Sequence, residues 1–501
     1  MTGRMFNLSK RSHERKASLP FILPMTSERQ TGSVRSMWSG CYTKRYTRVA
    51  LCAVAGLALY AFFRSLDGVA EVEEFIEDAV ESHLFPPLYT EYHQRELQLP
   101  QHNPDLTYPE GREGKYLWTP NHVHASGWGN AMQELLLNSF LAYNSGRSYV
   151  FDNYTWNRDG SDYTSYNGRL IPSRIPLSAL IQGPAAGGPF PRGDKAPRSV
   201  AKEYWDLVCP HPTIVSSDEI TYAVDPEASA QTLMDKWVEK LTSMEDRCIE
   251  IDKKSGQMFS IWVFGSTRIL DIWPTFSKSP IVTEFRWAPL IERAVNVNRH
   301  VFSPLTGLEP YLPSWFTRTD DPYAPLSGLL VLHIRRGDFE DHCMHLADWG
   351  SRWNGFNSFP ELPDKFEPLR GEGGNASEAM KQLYMRRCFP SIQQIVQRVE
   401  EVRQTKVARG LRNIYIMTNG AKLWVNDLKT ALRDTGHFKT VTSSRDLRLN
   451  WEQKYVAQSV DMLIGQRAQV LIGNGFSSLT SNIVMLRMAN NNIPPDSNRL
   501  W

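Results

Sequence analysis

The stretch from Gly328 to Phe339 reads Gly-Leu-Leu-Val-Leu-His-Ile-Arg-Arg-Gly-Asp-Phe, a short apolar run that ends in a cluster of charge. Such a run is typical of a strand buried on both faces of a parallel sheet. Ligands of open α/β sheets bind beyond the carboxyl ends of the strands, so we expect His333, Arg335 and Arg336 at a crevice. Period-two geometry predicts His333 and Arg335 on one face of the sheet and Arg336 on the other.

Two guanidiniums at the mouth of a sheet suit an anionic ligand, because each presents a planar fork of donors that can grip a phosphate or a carboxylate. The alternative is a structural ion pair between Arg336 and Asp338, with His333 satisfied inside the core. The stretch by itself leaves both interpretations open.

Strand and helix patterns alternate along the rest of the chain, which predicts an α/β fold with doubly wound sheets. The proline-rich segment 310–325 is the best linker, so we expect one domain over residues 111–322 and a second over residues 323–501, facing each other across a cleft. Residues 160–200 are expected to form a long surface loop. The expected strands are 147–151, 259–264, 329–335, 413–417, 439–442 and 470–472, and the expected helices are 131–143, 288–297, 377–403, 421–434, 451–467 and 479–490.

The N-terminal region differs in charge from the rest of the chain. Residues 1–48 hold ten Lys or Arg and two Glu, so the net charge of +2 divides into +8 there and −6 in residues 49–501. Because the basic residues are confined to this tail, nucleic acid is not expected as a partner of the globular region.

Residues 49–63 form an uncharged, mostly apolar run that predicts a signal anchor, although it is shorter than the usual span of about 17–25 residues. A cleaved signal peptide would have a much shorter basic leader, and a peripheral or soluble state is the remaining alternative. The positive-inside rule then leaves residues 1–48 in the cytosol and the remainder in a lumen, beginning with a helical stem over residues 64–110.

Four cysteines lie beyond the anchor, and they allow three pairings. Pairing within each predicted domain gives Cys209 with Cys248 and Cys343 with Cys388. The sequons at Asn153 and Asn375 would be open to glycosylation in the same compartment.

Three strand ends of the second domain are expected to converge, namely those before Arg335, before Asn419 and before Gly473. After the last of them, Ser477, Ser478 or Ser481 could cap a helix whose free amides would hold a diphosphate. An ordinary serine cap is the alternative. In the first domain the turn Gly-Trp-Gly-Asn at 127–130 opens a helix, and it can be a ligand loop or a simple tight turn.

The segment His333-Ile-Arg-Arg-Gly-Asp resembles the His-x-Arg-Arg or His-x-Arg-x-Gly signature of the GDP-fucose-dependent protein O-fucosyltransferase and α1,6-fucosyltransferase superfamily. Three further blocks resemble the same enzymes and follow in their order: 127–130, 413–419 and 461–487. The likeness covers about residues 116–489.

This resemblance implies a GT-B fold of two Rossmann-like domains and an inverting transfer of fucose from GDP-fucose to a protein or glycan hydroxyl, with no cofactor and no obligatory metal. The signal anchor and its basic tail, taken with this resemblance, predict a single-pass type II protein of the Golgi or endoplasmic reticulum membrane. Arg335 would be catalytic, acting on the β-phosphate. The donor-binding residues would be His333 and Asp461 near the guanosine, Ser477 and Ser478 at the diphosphate, Asn130 facing the sugar or acceptor, and also Arg336 and Gly129.

The chain also departs from the family pattern. It has Thr418-Asn419 where Thr-Asp is common, and Gly127 where Arg is often found. A general base is not obvious; we assign Glu134 to that role, with His122 and His124 as alternatives, while an ordinary helix carboxylate is the other interpretation of Glu134. Another GT-B transferase with a different GDP- or UDP-sugar, and a lumenal nucleotide-binding protein without turnover, are the alternative functions.

Overall fold

The computed structural model describes residues 85–221, 223, 225, 227–304, 323–368 and 376–501. The predicted tail, the signal anchor, most of the predicted stem and the sequon at Asn375 fall outside these residues. Within them, none of the helices combines the length and the apolar character that a membrane span requires.

Helices and strands alternate over most of the described chain, as predicted. The helices are α1 Thr90–Leu97, α2 Trp128–Asn144, α3 Lys202–Val208, α4 Asp218–Thr221, α5 Ala230–Ser243, α6 Ile261–Phe264, α7 Trp273–Phe276, α8 Pro280–Thr283, α9 Pro289–Val297, α10 Arg299–Phe302, α11 Phe339–Asp348, α12 Glu378–Cys388, α13 Ile392–Arg403, α14 Lys422–Asp434, α15 Trp451–Tyr455, α16 Ala457–Arg467 and α17 Ser478–Ala489. The strands are β1 Tyr116–Trp118, β2 Ser148–Phe151, β3 Tyr154–Thr155, β4 Tyr163–Tyr166, β5 Arg169–Pro172, β6 Arg174–Ile175, β7 Ile181–Gln182, β8 Val200–Ala201, β9 Thr213–Val215, β10 Cys248–Ile251, β11 Arg286–Trp287, β12 Leu326–Ile334, β13 Asn413–Thr418, β14 Thr440–Ser443, β15 Ala468–Gly473 and β16 Asn498–Leu500.

Two five-stranded sheets, each with all its strands parallel, organise the described residues. The first has the order β8-β2-β1-β10-β9 and the second the order β14-β13-β12-β15-β16. The predicted α/β class is therefore confirmed. The domain boundary predicted between residues 322 and 323 borders residues 305–322, which lie outside the described part, and it stays a prediction.

Strand β12 lies at the centre of the second sheet because its residues are apolar on both faces. Leu329 and Val331 belong to one hydrophobic cluster, and Leu330 and Leu332 belong to another on the opposite face. The strand ends at Ile334, paired with Thr418 of β13. The charged residues that follow are thus placed at the carboxyl edge of the sheet, as the sequence predicted.

Several local predictions need correction. The strand expected at 259–264 is wrong, because Ile261–Phe264 forms helix α6; a short apolar run does not distinguish the two structures. The single helices expected at 377–403 and 451–467 are each two helices, and Pro390 lies at the first break. Within the expected loop 160–200, β4 and β5 form a hairpin whose turn residues Asn167 and Gly168 have φ of 49° and 73°. The Asn-Gly pair is the ordinary signal for such a turn.

The last part of the predicted stem belongs to the folded unit. The Tyr89 hydroxyl donates to the carbonyl of Glu452 at 2.7 Å, and the buried Glu96 carboxylate accepts from the amide of Ser178 at 2.7 Å. Residues 85–110 therefore pack against the sheets rather than forming a separate stem.

Both predicted disulfides are confirmed. Cys209, at the end of α3, is bonded to Cys248 at the start of β10, and Cys343 of α11 is bonded to Cys388 of α12. Each bond links two elements of the same half of the chain.

The N-terminal ends of α2 and α17 are in contact, and this brings the carboxyl edges of the two sheets together. The Asn482 side-chain amide donates to the carbonyl of Gly129 at 2.6 Å. A Cβ atom on Gly129 would lie 2.7 Å from Ser478 Oγ and 2.8 Å from the backbone nitrogen of Leu479. Glycine at this position therefore serves the approach of one helix to the other.

We expect Gly129→Ala to lower the free energy of unfolding by about 1–3 kcal/mol, because the added methyl group overlaps the backbone of α17. Gly127→Ala is the matched control, since nothing lies within 4 Å of its Cβ position and its φ of −61° suits alanine. Urea unfolding of both variants measures the difference, and equal stability of the two would contradict the proposed contact.

Candidate active site

Arg335 directly follows β12 and reaches the cleft between the sheets. Its Nη2 lies 3.7 Å from Asp338 Oδ1, and its guanidinium covers the ring of Phe339 at 4.6 Å. The Nε atom is buried without a hydrogen-bond partner among the described residues. Burial lowers the pKa of Arg335, and Asp338 and Tyr166 oppose that change. A cation with an unused donor in a partly buried position is suited to an anionic ligand.

Arg336 points to the opposite face of the sheet, as the period-two pattern predicted. Its guanidinium is sandwiched between Phe389 and Trp424 at 4.2 and 4.1 Å and donates to the carbonyl of Pro390. Burial lowers the pKa of Arg336 to about 10. The suggested ion pair between Arg336 and Asp338 is wrong, because Asp338 pairs with Arg335. The assignment of Arg336 to donor binding stays a prediction.

His333 is a buried, neutral histidine. Its Nδ1 lies 2.7 Å from Thr480 Oγ1 of α17, and its carbonyl accepts from the Trp501 indole at 2.9 Å. Burial, with a smaller effect of Arg335, lowers the pKa of His333 to about 3. The imidazole is therefore satisfied inside the core, as the structural alternative held, and its contact with a nucleotide stays a prediction.

Asp461 of α16 lies on the same face of the sheet as His333. Its carboxylate accepts from the Tyr415 hydroxyl at 2.6 Å and from Ser444 Oγ at 2.9 Å. Burial raises the pKa of Asp461 to about 6. Arg445 and the bonds from Tyr415 and Ser444 oppose that rise. The guanosine role that the resemblance implies stays a prediction.

The start of α17 is held by the loop 353–357, which the sequence analysis did not predict. The carbonyl of Ser477 accepts from Asn357 Nδ2 at 3.1 Å, and Ser481 Oγ accepts from the amide of Phe356 at 3.0 Å. Ser477 occupies the position before the helix without a side-chain cap bond. The ordinary serine cap is thus not formed, and Ser477 and Ser478 remain candidates for the diphosphate.

In the half of the chain that contains the first sheet, Glu134 of α2 is buried beneath the turn that follows β1. Its Oε2 accepts from the amide of Val123 at 2.6 Å, and its Oε1 accepts from Gln257 Nε2 at 3.0 Å. Burial raises the pKa of Glu134 from 4.5 to about 8, and the hydrogen bonds from Val123 and Gln257 oppose that rise. Both carboxyl oxygens are already used by donors of the protein, so the contacts of Glu134 hold the turn. The assignment of Glu134 as general base stays a prediction that these contacts do not support.

Other polar groups lie at the same carboxyl edge. Asn130 Nδ2 donates to Ser126 Oγ at 3.0 Å. His122 lies near Asp152. Burial lowers the pKa of His122 and that of His124. Glu134, His122 and Asp152 all line a small cavity of about 30 Å³. Sequence reasoning missed Asp152, although a carboxylate directly after the buried strand β2 was the available signal.

The described residues contain no group of three or more His, Cys, Asp or Glu that could hold a metal ion. The expectation of a metal-free reaction stays a prediction. Arg335 and the amides at the start of α17 each have the chemistry to stabilise negative charge on a phosphate group.

Comparison with known proteins identifies a family to which part of the chain is similar. A model described as GDP-fucose protein O-fucosyltransferase matches residues 236–490, about half of the chain. The curated proteins contain no match.

Solved structures similar to the chain include POFUT1 in complex with GDP-fucose, with 14% identity, coverage of 78% of this chain and 99% of the other, and a TM-score of 0.47. POFUT1 in complex with GDP has 15% identity, coverage of 78% and 98%, and a TM-score of 0.46. A variant of Arabidopsis thaliana FUT1 in complex with GDP has 9% identity, coverage of 80% and 73%, and a TM-score of 0.33.

We expect Glu134→Gln to remove a pH-dependent loss of stability. Because the pKa of Glu134 is raised from 4.5 to about 8 on folding, the unfolded chain ionises first and the wild-type protein loses stability as pH rises between these values. The loss is at most about 1.4 kcal/mol per pH unit. Urea unfolding at pH 5 to 8 should show Glu134→Gln gaining on the wild type with pH; parallel curves would contradict the buried, protonated carboxyl.

Proposed function

Because the chain belongs to the GDP-fucose protein O-fucosyltransferase family, and is thus a fucosyltransferase-like glycosyltransferase, we propose that it transfers fucose from GDP-fucose to a protein or glycan hydroxyl with inversion. The observation that carries this proposal is Arg335, which lies at the carboxyl end of the central strand with a buried Nε that has no described partner. We further propose that the two parallel sheets are Rossmann-like domains in a GT-B arrangement.

In this mechanism the acceptor oxygen forms a bond to the anomeric carbon of fucose while the bond from that carbon to the β-phosphate oxygen breaks. The bonding electrons leave with GDP, so negative charge grows on the β-phosphate. Arg335 stabilises that charge, an electrostatic contribution of roughly 3–4 kcal/mol for one well-placed donor. The acceptor proton passes to a base or to solvent. We propose that this charge stabilisation needs no obligatory metal.

The remaining donor contacts follow from the positions of the matched residues. Ser477, Ser478 and the free amides at the start of α17 would bind the diphosphate, because a helix N-terminus favours an anion. His333 and Asp461 would lie near the guanosine. Asn130, at the start of α2, would face the sugar or the acceptor from the first sheet.

The acceptor would enter from the side of the β4–β5 hairpin. Tyr166, at the turn of that hairpin, lies near enough to Arg335 to affect its pKa. Its ring lies 4.7 Å from that of Trp156. We propose that these two aromatic rings form part of the acceptor wall, since Tyr166 lies near Arg335 and Trp156 packs against Tyr166.

We expect Arg335→Ala to lower the rate of GDP release from GDP-fucose by roughly a hundredfold or more, because the leaving charge loses its main donor. Arg335→Lys should recover only part of the rate, since a single ammonium does not reproduce the planar fork. Arg352→Ala is the control, because Arg352 is more than half exposed and pairs with Glu367 on the surface.

The same assay separates the alternative functions. Turnover of UDP-sugars but not of GDP-fucose would overturn the donor assignment. Calorimetric binding of GDP without turnover across a panel of protein and glycan acceptors would favour a silent nucleotide-binding protein. An unchanged rate in Arg335→Ala would remove Arg335 from the reaction.

We also propose that the protein is anchored in the Golgi or endoplasmic reticulum membrane by residues 49–63, with the folded part in the lumen. The apolar run between basic flanks supports this proposal, as do the two disulfides, which suit an oxidising compartment. In protease-treated microsomes, an N-terminal epitope on the full chain should be lost and the C-terminal part protected. Digestion of both ends would contradict this topology.

A further inference from the structure

Asn419 continues the sheet at the point where its backbone pairing ends. The β12–β13 ladder stops at the pair Ile334 and Thr418. Beyond it, Asn419 Oδ1 accepts from the amide of Arg336 at 2.8 Å, and Asn419 Nδ2 donates to the carbonyl of the same residue at 2.8 Å. The side-chain amide thus pairs with both polar groups of one residue, as a neighbouring strand would.

The same amide lies against the ion pair that includes Arg335. Asn419 Nδ2 is 3.4 Å from Asp338 Oδ1, and that carboxylate oxygen is 3.7 Å from Arg335 Nη2. The backbone of this turn is held in addition by Arg445, which donates to the carbonyls of Asn419 and Gly420 at 3.4 and 2.9 Å. Arg335 therefore lies between Ile334, the last paired residue of β12, and Arg336, whose backbone is hydrogen-bonded to Asn419.

At neutral pH an amide satisfies both contacts and an aspartate does not. An aspartate in its ionised form could accept from the amide of Arg336, but it could not donate to the Arg336 carbonyl, and its charge would face Asp338. The common Thr-Asp of the family is thus replaced here by a residue whose donor and acceptor are both used.

We propose that Asn419 is a positioning residue for Arg335, and that in this chain the role requires a side-chain amide. This inference rests on the proposed function, because the role of Arg335 in the departure of GDP is what the positioning serves. Asn419 acts through Asp338 and the backbone of Arg336 and does not itself need to touch the donor.

The test compares Asn419→Asp, Asn419→Ala and the control Asn426→Asp, which makes the same chemical change at an exposed position of α14. We expect both Asn419 variants to lower kcat for GDP release roughly tenfold, with a smaller effect on KM. The Arg336 carbonyl loses its partner and the Arg335 guanidinium is displaced, so the transition state is stabilised less. Asn426→Asp should match the wild type.

A pH profile distinguishes positioning from a general loss of structure. The introduced carboxyl faces Asp338, the backbone of Arg336 and the guanidinium of Arg445, and only its protonated form can donate to the Arg336 carbonyl. The kcat of Asn419→Asp relative to wild type should therefore rise as pH falls from 8 to about 4, where an aspartate with an ordinary pKa of about 3.9 takes up a proton. Asn419→Ala, which has no donor at any pH, should show no such recovery. Equal kcat and equal profiles for Asn419→Asp and the wild type would overturn the proposal.

A readout independent of turnover separates failure of this proposal from failure of the proposed function. Phenylglyoxal modification of Arg335, followed by peptide mass spectrometry, should be several times faster in both Asn419 variants than in the wild type and in Asn426→Asp. If the wild type does not turn over GDP-fucose, the function fails while this rate still decides the positioning. An unchanged modification rate in both Asn419 variants overturns the positioning whatever the activity.

Discussion

The site depends on the burial of β12 in the middle of a parallel sheet. Both faces of this strand are covered by hydrophobic clusters, so its apolar residues are buried whichever way they face, and the charged residues that follow are placed at the carboxyl edge of the sheet. Side chains alternate between the two faces up to the end of the strand, so the adjacent Arg335 and Arg336 point to opposite faces. Arg335 faces the cleft, and Arg336 is enclosed by two aromatic rings on the far side.

A second constraint joins the halves of the molecule. The close approach of α2 and α17 at Gly129 sets the carboxyl edges of the two sheets against each other. A turn from the first sheet and a strand end from the second then share one cleft, although they are separated by about 200 residues of chain. Glu134 beneath that turn supports it by accepting from the backbone amide of Val123. The loop 353–357 supports α17 by donating to Ser481 Oγ and to the carbonyl of Ser477.

Sequence patterns predicted the strands of the second sheet well, since fully buried parallel strands are continuous apolar runs and their charged ends are conspicuous. They were less reliable where an apolar run is short, as at Ile261–Phe264, or where proline divides a helix, as at Pro390. The hairpin with Asn167 and Gly168 was missed although its turn signal was present. Neither the bracing loop at 353–357 nor the neighbourhood of Asp152 has a periodic signal of its own.

The amino-acid order alone predicted the α/β class and the central strand with its two-sided arginines and, through the match over residues 236–490, it established the family. It also predicted the two disulfides, which the structure confirmed. Those features depend on local pattern and on residue identity. Only the tertiary structure decided the contacts of the polar groups at the site: the partner of Asp338 is Arg335, burial raises the pKa of Glu134, and the Asn419 amide is paired with Arg336. Burial and hydrogen bonding between distant segments set these states, and no local pattern encodes them.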